Sequence, residues 1–455
     1  MMMISTVRPK PDTTANHAVT RHMAWLLIVV SVVSGLRRTV AAQEVAGDLD
    51  PRIVRLVASI SEQRLSDILR KLQSFETRSS LSSTNSTVRG VGGARQWILD
   101  EMKSYSPKLQ VSFDAYLGGA VWPELLARPG GQSASNSGQT APPIDPDTPT
   151  PRAADPTAPL DNLAPGVNDD GSGTALTIEL ARVFSQSGID FEATLVFMCH
   201  AGEEQGLVGA RLHAQRAVAE KIPIEAVFNN DIVGNDKGGN GIIDGATIRV
   251  YSEGPEDSSS RALARFIQRW GGRYVPSHRV RPMSRPDRFG RGGDHSAYNA
   301  LGFTAVGFRE SRENFTRQHD VRDTYEGISL PYLAQNARVN AAAAATLAFA
   351  PPPPNVLSDR NQPLITRAPS GYDANLKWAP SPGAAAYRIF WRDAWGPDWQ
   401  HELLVGNVTS VALPNMQIDD YVFGVAAVDA AGHESFVTAY VTPPRASTPI
   451  KTVGQ

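Results

Sequence analysis

The stretch SGTALTIELARVFSQSGIDFEATLVFMC, residues 172–199, decides the fold class of this chain. Its first part, residues 172–186, has the apolar spacing of a helix. Its last part, residues 193–199, is a nearly continuous apolar run, which is typical of a strand buried on both faces. A helix followed by such a strand indicates a layered α/β fold.

The same alternation continues on the C-terminal side, as far as residue 349. Further strands are predicted at EAVFNND (225–231), ATIRVYS (246–252) and FTAVGF (303–308), and further helices at 259–270 and 330–349. Upstream, residues 93–105 predict a helix and LQVSFDAY (109–116) alternates like a strand. We therefore predict a three-layer α/β sandwich around a mostly parallel, mixed sheet, spanning residues 50–349.

The C-terminal part predicts a separate β domain. Four consecutive prolines, Pro351 to Pro354, begin a linker over residues 350–361. Short strand-like runs separated by turn residues then fill residues 362–445, which predicts a small all-β sandwich. The run YVFGVAAVDAAGHES (421–435) resembles the last hairpin of fibronectin type III domains. The role expected of such a domain is binding to a surface or a polymer.

The N-terminus predicts export. The apolar run AWLLIVVSVVSG (24–35) is too short to cross a bilayer comfortably and is followed by the small residues Val40-Ala41-Ala42. This pattern predicts a signal peptide over residues 1–42, and hence a secreted or periplasmic protein with no membrane span after cleavage. An uncleaved membrane anchor is the alternative.

Composition narrows the function. The chain has 455 residues, 41% of them hydrophobic and 20% charged, with a net charge of −2. These values are ordinary for a soluble globular protein and give no support to nucleic-acid binding. The single cysteine, Cys199, excludes a disulfide framework and a cysteine-based zinc site, so any metal must be held by His, Asp and Glu.

Four short segments hold the candidate ligands. They are APGVNDDGSG with Asp169, FMCHAGEEQGLVGAR with Glu203 and Glu204, VFNNDIVG with Asp231, and FTRQHDVRDT with His319. In open α/β sheets, sites lie outside the carboxyl ends of the strands, and this rule fits Glu203, Glu204 and Asp231. Clustered carboxylates repel unless a cation is present, and imidazole with carboxylate suits zinc. Taken singly, each segment also fits an ordinary turn or helix cap.

Together, these motifs resemble the M28 family of zinc aminopeptidases over residues 164–325. The matching stretches are PGVNDDGSG, AGEEQGLVGA, NNDIVG, GRGGDHSAYNALGFTAVGF and QHDVRDT. The resemblance implies two zinc ions bridged by Asp169. It implies that Glu203 is the general base, that Glu204 and His319 share one metal, and that Asp231 ligates the other. His295 in the GGDH motif is interpreted as structural.

One motif of the family is missing. A hydrophobic strand ending in His-x-Asp is expected upstream, yet no histidine occurs between His22 and His200. The Pro-rich segment 129–165, with nine prolines, stands in its place. A simple explanation is an in-frame deletion, either real or an error in the predicted coding sequence, and it removes a metal ligand and a core strand together. Gln318 also stands where many members have a tyrosine that steadies the oxyanion.

The deletion leaves the two metal positions unequal. Asp169, Glu204 and His319 still provide three ligands, which suffice for a catalytic zinc. The second position keeps only Asp169 and Asp231. We therefore expect one strongly held zinc in place of the family's two.

Three functions follow from this reading. The first is a zinc-dependent aminopeptidase that hydrolyses N-terminal residues from peptides with a free N-terminus. The second is a single-zinc enzyme of the glutaminyl cyclase type, which is distinguished by its pyroglutamyl product. The third is a non-catalytic binding protein, which predicts no metal-dependent turnover.

Overall fold

A computed structural model describes residues 49–80, 82–115 and 163–442, together with the backbone of residues 2–7. It contains a mixed α/β unit that ends at Phe349 and an all-antiparallel β unit that follows it. Most of the predicted signal peptide and most of the Pro-rich segment lie outside the described residues.

The α/β unit follows the predicted order of helices and strands. Its helices are α1 (Pro51–Ala58), α2 (Glu62–Gln73), α3 (Gly90–Lys103), α4 (Gly171–Gln186), α5 (Val208–Ala219), α6 (Ser259–Tyr274), α7 (His295–Asn299) and α8 (Leu330–Phe349). Its strands are β1 (Met2–Val7), β2 (Thr194–Cys199), β3 (Ile224–Asn230), β4 (Thr247–Ser252), β5 (Arg279–Met283) and β6 (Ala305–Glu310). A short 3-10 helix, Tyr325–Gly327, precedes α8.

The six strands form one mixed sheet in the order β2-β1-β3-β6-β4-β5. Strands β3 and β6 are parallel, as are β4 and β5, whereas β4 and β6 are antiparallel. Apolar residues pack on both faces: Phe228 belongs to the large core under α1, α2, α4, α6 and α8, while its neighbour Val227 packs with α5 and α7. This arrangement confirms the predicted layered α/β fold with a mixed sheet. The sheet is not mostly parallel, because three of its five strand pairs are antiparallel, two of them formed by β1.

The gap left by the missing strand is filled by the N-terminus. Strand β1 lies between β2 and β3 and runs antiparallel to both, with Met2 opposite Cys199 and Asn230. These residues lie inside the predicted signal peptide. A chain cleaved after Ala42 would lack β1, so cleavage and this strand exclude each other in one molecule.

The strand predicted at 109–116 is wrong for the residues that the structure describes. Residues 109–115 form neither a strand nor a helix. Phe113, one of the residues on the expected apolar face, is about half exposed at 49%. Alternating side chains alone do not make a strand unless the backbone finds a partner to pair with.

Helix α8 fixes the end of strand β3. It is buried on nearly all sides, including the alanine run 341–345. Two of its amides point to β3: Asn340 and Asn230 exchange hydrogen bonds of 2.9 and 3.0 Å, and Asn336 donates to the carbonyl of Val233 at 2.7 Å. Buried amides of this kind must be paired, so these bonds hold the loop after β3 in one position.

The β unit contains seven strands in two antiparallel sheets. One sheet has the order β11 (Ser410–Leu413), β8 (Ala374–Lys377), β7 (Ile365–Thr366), and the other β10 (His401–Val405), β9 (Ala386–Asp393), β12 (Tyr421–Val428), β13 (Thr438–Ala439). Their core includes Trp378, Tyr387 and Phe423, together with Val356, which precedes the predicted start of the domain. The separate all-β domain is therefore confirmed, whereas its resemblance to fibronectin type III domains stays a prediction.

Partly buried ion pairs join the two units. Arg392 on β9 contacts the carboxylate of Asp257 at 2.7 and 2.9 Å, and Glu434 contacts Arg269 on α6 at 3.2 Å. Of the helices in the described residues, none combines the length and the apolar character that crossing a bilayer requires.

Candidate metal site

Three of the predicted ligands converge. The ligand atoms of Asp169, Glu204 and His319 all lie within 4.8 Å of one another. Nε2 of His319 lies 3.1 Å from a carboxylate oxygen of Asp169 and 2.9 Å from one of Glu204. In the described part of the chain, no other group of three His, Cys, Asp or Glu residues converges in this way.

Asp169 is held by a turn that is fixed on both sides. Asp170 caps helix α4, because its carboxylate accepts a hydrogen bond from the backbone N–H of Gly173 at 2.9 Å. On the other side, the carboxylate of Asp323 accepts the backbone N–H groups of Asn168 and Asp169 at 2.9 and 2.8 Å. The Asp169 side chain is thereby positioned before any metal binds.

Glu203 and Glu204 lie in the tight turn between β2 and α5. The carbonyl of Glu203 accepts hydrogen bonds from the N–H groups of Gly206 and Leu207, both at 2.8 Å. Gly206 has φ 104°, a conformation that glycine adopts readily. The adjacent carboxylates meet different surroundings: the Glu204 side chain is half exposed, whereas Glu203 is more buried.

His319 projects from a loop that is fixed by a buried ion cluster. The carboxylate of Glu313 contacts the guanidinium groups of Arg249, Arg288 and Arg291 at 2.6, 2.8 and 3.0 Å. Gln318 joins the cluster, because its amide donates to Glu313 at 3.2 Å and accepts from Arg291 at 2.8 Å. Gln318 therefore anchors the loop directly before His319.

The backbone at the site is strained. His319 has φ 54°, and Ile232, next to Asp231, has φ 55°. Few residues with a side chain adopt this left-handed region, and a β-branched residue such as Ile232 rarely does. Such strain is typical of functional sites, where surrounding contacts over-determine the conformation.

Replacing Glu313 with glutamine is expected to destabilise the protein by about 3–5 kcal/mol at pH 7, because it removes the charge of a buried carboxylate that three arginines share. Burial alone would raise the pKa of Glu313, but Arg288, Arg291 and Arg249 outweigh it and lower the pKa to about 2. The wild-type stabilisation is therefore present above the carboxyl group's ordinary pKa and is lost as the pH falls towards 2. Urea unfolding between pH 7 and pH 2 measures both effects.

The exposed Glu192 provides the matched control. Its replacement by glutamine is expected to change the free energy of unfolding by no more than about 0.5 kcal/mol. Equal effects at the two positions would contradict the structural role of the Glu313 cluster.

The charges of the three ligands are coupled. Hydrogen bonds that the imidazole of His319 donates to the carboxylates of Asp169 and Glu204 raise the pKa of His319 to about 11. Burial works to raise the pKa of Asp169, yet its hydrogen bond to His319 lowers it to about 2. At neutral pH the imidazole therefore carries a proton that a metal must displace.

Zinc binding at pH 7 is expected to release about one proton, because a ligating histidine must be neutral. Below the pKa of His319, zinc affinity should then rise about tenfold for each unit of pH. Titration calorimetry in two buffers with different ionisation enthalpies counts the protons released. Zinc binding without proton release would show that His319 is not a ligand.

The structure does not bring Asp231 into the ligand group. Asp231 is buried beyond the end of β3, and its carboxylate forms an ion pair with the guanidinium of Arg309. Sequence reasoning missed Arg309, which lies one residue past the predicted strand 303–308 and carries no local signal. It also missed the positioning role of Asp323, although QHDVRDT contains that residue.

The two histidines nearest the motifs are engaged elsewhere. His295 is fully buried, and its Nε2 lies 2.8 Å from the carbonyl oxygen of Pro286. His200 lies 3.2 Å from the hydroxyl of Tyr298, which also contacts His213 at 2.6 Å. Neither His200 nor His295 belongs to the converging group.

Known proteins are similar to this chain over most of its length. The family description "Peptidase family M28" matches residues 150–344. A probable zinc metalloprotease of Pyricularia oryzae is 33% identical over 459 residues, which cover 90% of this chain and 86% of that protein. Another probable zinc metalloprotease, from Pyrenophora tritici-repentis, is 31% identical over 426 residues, which cover 85% of this chain and 86% of that protein. The LapA aminopeptidase structure from Legionella pneumophila shows 19% identity and a TM-score of 0.46, covering 66% of this chain and 76% of its own.

Proposed function

Because the chain belongs to peptidase family M28, with zinc metalloproteases among its relatives, we propose that it is a zinc-dependent aminopeptidase that removes N-terminal residues from peptides. The observation that carries the proposal is the convergence of Asp169, Glu204 and His319 beside Glu203. Two carboxylates and one imidazole are a donor set that zinc accepts, and three protein ligands leave a position for water or substrate.

Zinc held by these residues would polarise the peptide carbonyl and activate the attacking water. Glu203 directly precedes the ligand Glu204 in the chain. It is not one of the three converging ligands, so its carboxylate is available for proton transfer. It accepts the proton of the attacking water and delivers it to the leaving amine, as a general base and then a general acid.

The surroundings of Glu203 tune it for this role. Burial raises the pKa of Glu203 well above its ordinary value, and repulsion from Glu204 and Asp231 adds to this effect. A cation beside a carboxylate favours the charged form and so opposes this rise. These opposing influences act on the group that is proposed to accept and return the proton.

A paired assay tests the proposal. A peptide with a free N-terminus and an apolar first residue is incubated with the zinc-loaded full chain, and the released amino acid is measured by mass spectrometry. The same peptide with an acetylated N-terminus is the control. Release from the free peptide only is expected. Internal cleavage of both peptides would replace the exopeptidase proposal with an endopeptidase.

A single-zinc glutaminyl cyclase is the second candidate, favoured by the one complete ligand set at Asp169, Glu204 and His319. A peptide beginning with glutamine separates the two activities. A cyclase yields the pyroglutamyl peptide and ammonia, whereas an aminopeptidase yields free glutamine. A folded, zinc-loaded chain that produces neither would support the binding-protein alternative.

The proposal extends to export and to the β unit. We propose that the protein is secreted or periplasmic after cleavage behind Ala42, and that the β unit binds a surface or polymer. N-terminal sequencing of the protein recovered from its host tests the first part. A first residue of Gln43 supports cleavage, whereas an intact start at Met1 would show that the segment containing β1 is retained.

A further inference from the structure

A buried guanidinium contacts the predicted ligand of the second metal. Arg309, the penultimate residue of β6, is fully buried. One of its terminal nitrogens forms the ion pair with the carboxylate of Asp231 and also donates to the backbone carbonyl of Asp231 at 2.8 Å. Arg309 thus binds Asp231 through both its side chain and its backbone.

Other contacts hold the guanidinium in this place. Its second terminal nitrogen lies 3.2 Å from the carboxylate of Asp287 and 3.1 Å from the carbonyl of Gly292. The adjacent Gly293 leaves the space for it, because a Cβ atom there would lie 2.2 Å from that nitrogen. A planar guanidinium with several matched acceptors is pre-organised, so Arg309 is not free to leave Asp231.

The second metal position does not fit a zinc ion in this chain. Among the described residues, Asp231 is outside the one group of three converging ligands, and the expected His-x-Asp motif is missing from the sequence. The second position keeps only the carboxylates of Asp169 and Asp231, and zinc normally takes at least three ligands from a protein. A carboxylate buried at that position nevertheless needs a positive partner.

We propose that Arg309 takes the place of the second zinc at Asp231, so that the chain is built to hold one zinc. The proposal rests on the proposed zinc site at Asp169, Glu204 and His319. The fixed positive charge neutralises Asp231 in place of the metal. Loss of the His-x-Asp motif then leaves no uncompensated charge at Asp231.

Metal stoichiometry tests the proposal independently of catalysis. Zinc per chain is measured after dialysis, and the metal-free full-length protein is titrated with Co²⁺, followed by visible absorption. The wild type is expected to hold one zinc, and its absorption to stop rising after one equivalent of Co²⁺. Asp231→Asn is expected to keep that equivalent, whereas Glu204→Gln, which removes a ligand, loses it.

A double variant covers the case in which Asp231→Asn does not fold. Asp231→Asn with Arg309→Met removes both charges together, which costs less stability than removing one member of a buried pair. It is expected to bind one equivalent of Co²⁺ and to have a higher melting temperature than Arg309→Met alone. Equal melting temperatures would show that the two side chains are not coupled and would overturn the proposal.

The other outcomes separate this inference from the proposed function. Two zinc ions in the wild type, falling to one in Asp231→Asn, would overturn the role of Arg309 and leave the peptidase proposal standing. One zinc with no turnover of any peptide would support the role of Arg309 and overturn the peptidase. A folded wild type without zinc would overturn both.

Discussion

Replacing Glu203 with glutamine is expected to lower kcat for peptide hydrolysis by about 10²–10⁴-fold, the range of general acid–base catalysis. Glutamine keeps the size of the side chain but cannot accept the proton of the attacking water. Zinc content should stay unchanged, because Glu203 is not one of the three converging ligands. Steady-state kinetics and zinc analysis of the same preparation measure both results.

The neighbouring Glu204 provides a matched control for this variant. Glu204→Gln makes the same chemical change one residue away, but it removes a carboxylate that lies 2.9 Å from His319. It is expected to lose zinc together with activity. If Glu203→Gln lost zinc as readily as Glu204→Gln, Glu203 would be a ligand and the base would have to lie elsewhere.

The pH dependence of the rate is a second test of Glu203 as the general base. In the wild type, the acid limb of kcat/KM reports the base of the free enzyme, and rates should fall as Glu203 becomes protonated. The residual activity of Glu203→Gln should lack this limb. A limb that persists unchanged would assign it to another group.

The ligands that could be predicted from the sequence share one property. Glu204 lies five residues after the end of strand β2, and Asp169 lies just before helix α4, so their places at the edge of the sheet follow from local patterns. His319 required the resemblance to a family, because its loop has no periodicity of its own. The structure fixes this loop through Glu313 and Gln318, whose partners lie on other segments.

What escaped prediction depends on pairing between distant parts of the chain. Arg309 and Asp231 are 78 residues apart, and an arginine at a strand end is ordinary in any sequence. Strand β5 (Arg279–Met283) was missed because its arginines and Pro282 obscure the alternation. The placement of Met2–Val7 between β2 and β3 was not predicted for the same reason, because a short apolar segment does not specify which strands it will pair with.

Replacing His319 with alanine is expected to weaken zinc binding by more than about 100-fold, since even the loss of an outer-shell partner costs about 10–100-fold. His319 is the only nitrogen donor among the three converging residues. Without it, only the carboxylates of Asp169 and Glu204 remain, so the site has two ligands in place of three. Competition with a chelator measures the affinity, and circular dichroism verifies the fold.

The matched control for this variant is His401→Ala in the β unit, where the histidine is exposed and stacks on Trp391. It is expected to leave zinc affinity and kcat unchanged. The His319 variant should also lose the proton that zinc releases in the wild type, because that proton lies on the deleted imidazole. Wild-type affinity in a folded His319→Ala protein would mean that zinc binds elsewhere, and the site at Asp169 and Glu204 would then need another explanation.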